Sequence, residues 1–325
     1  MPDQPRATSL PIAAALDAGS NTVHVVVARS NAAGTDLMVL ADEVDLVRLG
    51  ADVSATGAIG AERMARALAA IARQAAIARA HGASTILGLA TEGVRAAANG
   101  AELLRRAHDE AGVDLVLISG EQEAALTYWG VTSGQTMPAG RGAVADLGGG
   151  SLELVVGEAE RILWRVSLPL GSGAIHDRLA PADPPDPAQL NEAERFVTAA
   201  LASLDLPLPV TTATVAGGTA TTLAALARRT LNRADVHADL PDLTEALLAE
   251  LLVLLQHLPA AEVARVYGID EGRARLLGAG AVILRAVLLR LDVAQLRVSR
   301  RGVREGAILA HQRLGAAWLE AASRG

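Results

Sequence analysis

The chain of 325 residues contains no cysteine. Disulfides, thiolate nucleophiles, cysteine-type zinc sites and iron–sulfur clusters are thereby excluded. It also contains no lysine, since all 29 basic residues are arginine. That removes a Walker-type phosphate loop, which needs a lysine at the phosphates, and Schiff-base chemistry. Genomic base composition is the plainest source of the gap, but the chemical consequence holds either way. Any anion bound here meets arginine, backbone N–H groups, hydroxyls or a metal ion. Aromatics are scarce, with three Trp, two Tyr and one Phe, so the core is built from Ala, Leu, Val and Ile within an apolar fraction of 51%.

The formal net charge is −7. A non-specific nucleic-acid binder is ordinarily basic, so no nucleic-acid partner is expected. A polyanionic ligand remains open if arginines cluster locally. The N-terminal MPDQPRATSLPIAAALDAGS has one Arg and a short apolar run ending at Asp17, which reads as a first strand rather than a secretory signal. The apolar stretch Leu276 to Leu291 carries Arg285 and Arg290, which argues against a membrane span. A cytoplasmic protein without a membrane partner is expected.

The length suggests two domains. Apolar runs at Ile12–Leu16, Val23–Ala28 and Leu37–Ala41 predict three strands joined by tight turns. A helix over 61–79, a strand over 85–90, a helix through Leu103–His108, a strand over 115–118 and a helix from Ser119 follow. Alternating strands and helices predict an α/β fold. The opening pattern then returns at Ala143–Asp146, Leu152–Val156 and Ile162–Leu168. Aligning Asp17 with Asp146 pairs Gly19 with Gly148, Thr22 with Ser151 and His24 with Glu153, an internal repeat offset by 129 residues. Two related domains facing a cleft are expected. Beyond them lie a Pro/Asp-rich loop over 181–191, a strand over 213–219 leading to a helix from Thr221, and helices over 243–258, 260–267 and 271–291. A strand at 295–298 and a last helix from Arg304 complete the chain.

The Asp-x-Gly-Ser-Asn-Thr unit at 17–22 and the Asp-x-Gly-Gly-Gly-Ser unit at 146–151 share one logic. A strand delivers a carboxylate at its end. Glycines allow a turn with φ > 0, and successive N–H groups form an anion-binding nest. The carboxylate repels phosphate, so its partner is Mg²⁺ or water. Either unit alone reads equally well as a hairpin turn. The matched pair favours two phosphate loops.

Ser119 and Gln122 fit a capping box, with Glu121 and Glu123 in the first helical turn. Those acids serve either the helix dipole or, in one case, as general base for water. Glu153 sits in an apolar strand, LELVVG, where a carboxylate needs a partner or a function. Arg95, in ATEGVRAA, reads as a phosphate clamp or as a solvated side chain. Arg297, Arg300, Arg301 and Arg304 form a basic run that either tracks an anionic chain or faces solvent.

Seven segments resemble, in order, the exopolyphosphatase/guanosine pentaphosphate phosphatase (Ppx/GppA) family: ALDAGSNTVHVVVA, ATEGVRAAAN, ISGEQEAALTYWGV, AVADLGGGSLELVVGE, SLPLGSGAIHDRL, AGGTATTLAAL, and GAGAVILRAVLLRL with VSRRGVREG. The resemblance runs from about Ala14 to Leu309. It implies two duplicated actin-like (ribonuclease H-like) domains of the sugar-kinase/heat-shock ATPase/actin superfamily. Residues 1–125 would form the first, with the C-terminal helix 305–325 packed back on it, and residues 126–304 the second. It implies Mg²⁺-dependent hydrolysis, with Mn²⁺ as the substitute, of the terminal phosphoanhydride of inorganic polyphosphate or of guanosine pentaphosphate (pppGpp), and a homodimer.

By the same resemblance Glu123 is the catalytic glutamate that deprotonates water, assisted by Glu153. Asp17, Asp146 and Glu153 attend the metal. Gly19, Ser20, Asn21, Arg95, Gly148, Gly149, Gly150 and Ser151 contact phosphate, and Gly217, Gly218 and Thr219 match a segment that approaches a nucleotide in related ATPases. The chain departs from the pattern at Gln122, where the family doubles the acid, at Ala96 and at Arg300, both Asp in the family. Longer members carry further C-terminal helical domains, so weaker processivity and shorter chains are expected. A kinase of the same superfamily and a non-catalytic regulator that binds (p)ppGpp or polyphosphate are the alternatives.

Overall fold

The computed structural model describes residues 11–31, 33–134, 139–230 and 240–324. The outer ends of the expected domain spans, 1–10 and 325, lie outside them.

Eleven strands are present among the described residues: β1 Ile12–Ala18, β2 Thr22–Ser30, β3 Leu37–Leu46, β4 Thr85–Ala90, β5 Leu115–Leu117, β6 Gly142–Leu147, β7 Leu152–Glu158, β8 Arg161–Leu168, β9 Thr212–Ala216, β10 Leu243–Thr244 and β11 Gln295–Val298. They form two sheets, ordered β3-β2-β1-β4-β5 and β10-β11-β9-β6-β7-β8. In each sheet an antiparallel meander is extended by parallel strands reached through helical crossovers. Strands β8-β7-β6-β9-β11 therefore repeat the topology of β3-β2-β1-β4-β5, the duplicated actin-like arrangement that the resemblance implies, and β10, antiparallel to β11, is an addition to the second sheet.

The repeat holds residue by residue. Asp17 pairs with His24 across β1 and β2, and Asp146 pairs with Glu153 across β6 and β7. Each turn is closed by the same bond, Gly19 N–H to Thr22 C=O at 2.9 Å and Gly148 N–H to Ser151 C=O at 3.1 Å.

With so few aromatics, helices lie close on the sheets through alanine. Helix Ala61–Ala80 buries Ala67, Leu68, Ile71, Ala75 and Ala78 against the first sheet. Helix Gly120–Thr132 packs between the sheets. Ala125 and Leu126 join the core over β1, β2 and β4, while Ala124, Tyr128 and Val131 join Val144, Val155 and Ala216 of the second sheet. The expected division at residues 125 and 126 falls inside this helix. Helix Val303–Leu314 crosses it and covers the first sheet with Ala307 and Ile308; Trp318 and Ala322 of the final helix Trp318–Arg324 join the same core. The crossing requires glycine, because a Cβ on Gly306 would stand 1.8 Å from Leu126 O.

Two expectations need correction. The segment over 181–191 is not all loop. Asp186 caps helix Pro187–Ala202 through Ala188 and Gln189 N–H, with Pro187 at a position that tolerates a missing N–H. The helix over 271–291 is two helices, Glu271–Ala274 and Leu277–Leu291. Leu277–Leu291 is a core helix, and among the described residues no single helix is long and apolar enough to cross a membrane.

Candidate active site

A cleft of about 390 Å³ lies between the sheets. Asp17, Gly19, Ser20 and Asn21 line one side; Asp146, Gly148, Gly149, Gly150 and Ser151 line the other. Gly217, Gly218 and Thr219 reach it from the end of β9.

The backbone of each loop is turned by the helix or bend behind it. Ser20 C=O accepts from Gly50 N–H, and Asn21 C=O from Val47 and Arg48 N–H. Gly148, Gly149 and Gly150 carbonyls accept from Ser172, from Gly173 and Ala174, and from Gly171. In a trans peptide the N–H points opposite to the C=O. The Gly149 and Gly150 amides therefore face away from helix Ser172–Leu179, and they find no acceptor among the described residues. Backbone donors so arranged make a candidate anion seat.

The expected φ > 0 is absent at Gly19, Gly148, Gly149 and Gly150; of the site glycines only Gly217 has it, at 99°. Glycine is needed instead for close approach. A Cβ on Gly149 would stand 2.4 Å from the Asn21 amide, and one on Gly150 2.5 Å from Ser20 Oγ. The two loops touch.

Helix Gly120–Thr132 aims chemistry at the seat. Ser119 caps it, and both bonds of the capping box with Gln122 are present. Glu123 and Thr127, four residues apart, share the cleft-facing side. Thr127 Oγ1 donates to Asp146 Oδ2 at 2.8 Å. Glu123 is 9% exposed, and among the described residues its Oε2 has no hydrogen-bond partner. Its closest cation is Arg95 Nη1 at 3.9 Å. Glu153 is buried behind the cleft wall, accepting 2.6 Å from Ser167 Oγ. Gln122 points elsewhere: its Nε2 donates to Leu319 O and Ser323 Oγ of the final helix. Gln122 thus docks the final helix and does not line the cleft.

Burial dominates the electrostatics. It pushes Glu123 well above the usual carboxylate range, aided by the charges of Glu153, Asp17 and Asp146 and opposed by Arg95. It raises Glu153, with Asp146 adding and Ser167, Ser151 and Arg95 opposing. Asp17 is pushed up to about 6 by burial, against Arg304 and with Asp146. Asp146 is raised by burial, against Thr127 and Arg304. His24 is pushed down to about 4 by burial and Arg304, so its bond to Asp42 is that of a neutral imidazole.

The cations differ from expectation. Arg95 does not line the cleft; it is held by the Glu92 carboxylate and by Ile118 C=O at 2.5 Å. Arg273, Arg300, Arg301 and Arg304 line it instead. Arg301 is anchored on Asp36 and Ser133, whereas Arg304 pairs with Asp17 at 3.8 Å, and among the described residues its buried Nε has no partner. Arg297 stands exposed on β11. Arg273 and Glu92 carry no local sequence signal of a site.

Among the described residues no three His, Asp or Glu side chains gather closely enough to hold a metal alone. Asp17 and Asp146 nevertheless face the cleft, and Asp17 Oδ1 is buried without a partner. That suits a hard cation which takes its remaining ligands from phosphate and water.

The Ppx/GppA phosphatase family model matches residues 26–313. The chain belongs to that family. Exopolyphosphatase 1 of Mycobacterium tuberculosis is 30% identical over 297 residues, covering 90% of this chain and 86% of that protein. Exopolyphosphatase 2 of the same organism is 30% identical over 313 residues, covering 91% and 97%. Among solved structures, the Aquifex aeolicus PPX-GPPA enzyme superposes with a TM-score of 0.75 at 28% identity, covering 92% of this chain and 99% of that one. An exopolyphosphatase-like protein gives 0.82 at 26% identity, covering 94% and 99%. In this family member, then, the two loops, the buried acids and the arginine wall form one cleft.

Proposed function

We propose that the protein is an exopolyphosphatase that hydrolyses the terminal phosphoanhydride of inorganic polyphosphate and releases orthophosphate. Family membership and the exopolyphosphatase relatives support a phosphatase. The observation that carries the reading is Glu123: a buried carboxylate with a free oxygen and a raised proton affinity, beside a seat of backbone donors.

The terminal phosphoryl group lies against the Gly149 and Gly150 amides and the Ser20 and Asn21 side chains. Glu123, deprotonated, takes a proton from water as the water oxygen bonds to the terminal phosphorus. The bridging P–O bond breaks, and the shortened chain leaves with the bond's electron pair. Glu153 keeps Glu123 basic by its charge. Arg273, Arg300 and Arg304 hold the following phosphates of the chain. Asp17 and Asp146 would hold Mg²⁺, or Mn²⁺ in its place, which supplies charge neutralisation to the phosphates. The experiment is phosphate release from long polyphosphate, tripolyphosphate and pppGpp, each with and without Mg²⁺. Release from polyphosphate that outpaces release from pppGpp supports the reading; release from pppGpp alone replaces it with the nucleotide phosphohydrolase, and no release from either rejects it.

A further inference from the structure

We infer that Glu92 is a specificity-determining residue, whose carboxylate stands between the anion seat and Arg95 and weakens the seat's hold on a lone phosphate. The inference rests on the phosphohydrolase reading of the cleft.

Glu92 opens the short helix Glu92–Arg95, so Arg95 follows it at i+3, and the two side chains pair. Glu92 lines the cleft and Arg95 does not. The Glu92 side chain lies against the second loop, where a Cβ on Gly150 would be 3.0 Å from its Cγ, and against the same glycine Ser20 of the first loop closes in. The Glu92 side chain therefore passes Gly150 at the junction of both loops, and its carboxylate reaches Arg95 beyond it. Arg95 is held on two sides, by Glu92 and by Ile118 C=O, with Glu123 at 3.9 Å.

An ionised carboxylate at that junction repels a phosphate oxyanion, and in a partly buried site the repulsion is poorly screened. It also keeps the guanidinium behind it neutralised. Orthophosphate has only the seat to bind and feels the repulsion that the pairing with Arg95 leaves. A chain recovers the loss through Arg273, Arg300 and Arg304 farther along the cleft. Glu92 thus lets product orthophosphate leave while the chain stays bound.

The test uses the full-length protein and two probes, orthophosphate and inorganic tripolyphosphate, titrated by calorimetry into wild type, Glu92→Gln, Arg95→Ala and the double variant. Glu92→Gln is expected to bind orthophosphate roughly tenfold tighter, as loss of one nearby like charge permits. In steady-state assays, product inhibition by orthophosphate strengthens by the same factor and KM for polyphosphate falls. Arg95→Ala is expected to cost orthophosphate affinity several-fold more in the Glu92→Gln background than in wild type. If Glu92→Gln binds orthophosphate no tighter, or more weakly, the inference is overturned and Glu92 simply braces Arg95. Glu92→Ala serves as the second variant should Glu92→Gln melt early. If wild type releases no phosphate from any chain, the proposed activity fails, whereas the binding arm, which needs no turnover, still judges Glu92.

Discussion

Asp146 and Glu153 are direct cross-strand partners on β6 and β7, a half-buried acid beside a buried one. Each carboxylate raises the cost of ionising the next, and Glu153 is the strongest charged neighbour raising Glu123. Glu153→Gln removes that repulsion. The acid limb of the kcat/KM–pH profile should move to lower pH, and kcat should fall by roughly tenfold as the base weakens. A profile that stays in place, measured by phosphate release from pH 4 to 9, would show that Glu153 does not act through Glu123.

Asp17 links the cleft to stability. Its folded-state value of about 6 lies above the ordinary 3.8, so the folded chain holds a proton that the unfolded chain releases across that window. Stability is full below the ordinary value and is lost as pH rises through about 6. Asp17→Asn should therefore stabilise the metal-free protein at pH 7 by on the order of 2 kcal/mol and change little at pH 3.5. Urea melts in chelator at both pH values measure this.

Contact between the loops gives a steric prediction. Gly149→Ala places a methyl group on the Asn21 amide and should part the loops, raising KM for polyphosphate by roughly tenfold. Adding Asn21→Gly to Gly149→Ala relieves the clash but removes a proposed phosphate contact, so KM should stay raised; a return of KM to the wild-type value would show that Asn21 does not hold phosphate.

Gln122 offers the opposite kind of test. Restoring the doubled acid by Gln122→Glu deletes the donor to Leu319 O and Ser323 Oγ. Stability should fall by about 1 kcal/mol while turnover stays within about twofold. A large gain in turnover would mean that a carboxylate at this position reaches the cleft.

Much of this arrangement was legible before the structure. Strand periodicity and the 129-residue offset between Asp17 and Asp146 already implied two matched sheets. The Ser119–Gln122 capping box was readable because it is local. The reason for the glycines was not: a turn with φ > 0 is a property of one loop, whereas the contact of Gly149 with Asn21 joins residues far apart in sequence. Arg273 and Glu92 were invisible for the same reason, since only the crossing of distant elements brings them to the cleft. The basic run held half its meaning: Arg300, Arg301 and Arg304 turn inward, and Arg297 does not. Helix Pro187–Ala202 had a local signal in Asp186 followed by proline, which the density of prolines before it obscured.

Glu123, in the proposed reaction, activates water. Glu123→Gln keeps the shape of the side chain and removes the base. Phosphate release from polyphosphate should fall by roughly a thousandfold, while tripolyphosphate binding, measured by calorimetry, stays within about threefold of wild type. Turnover at the wild-type rate in Glu123→Gln would show that Glu123 is not the base.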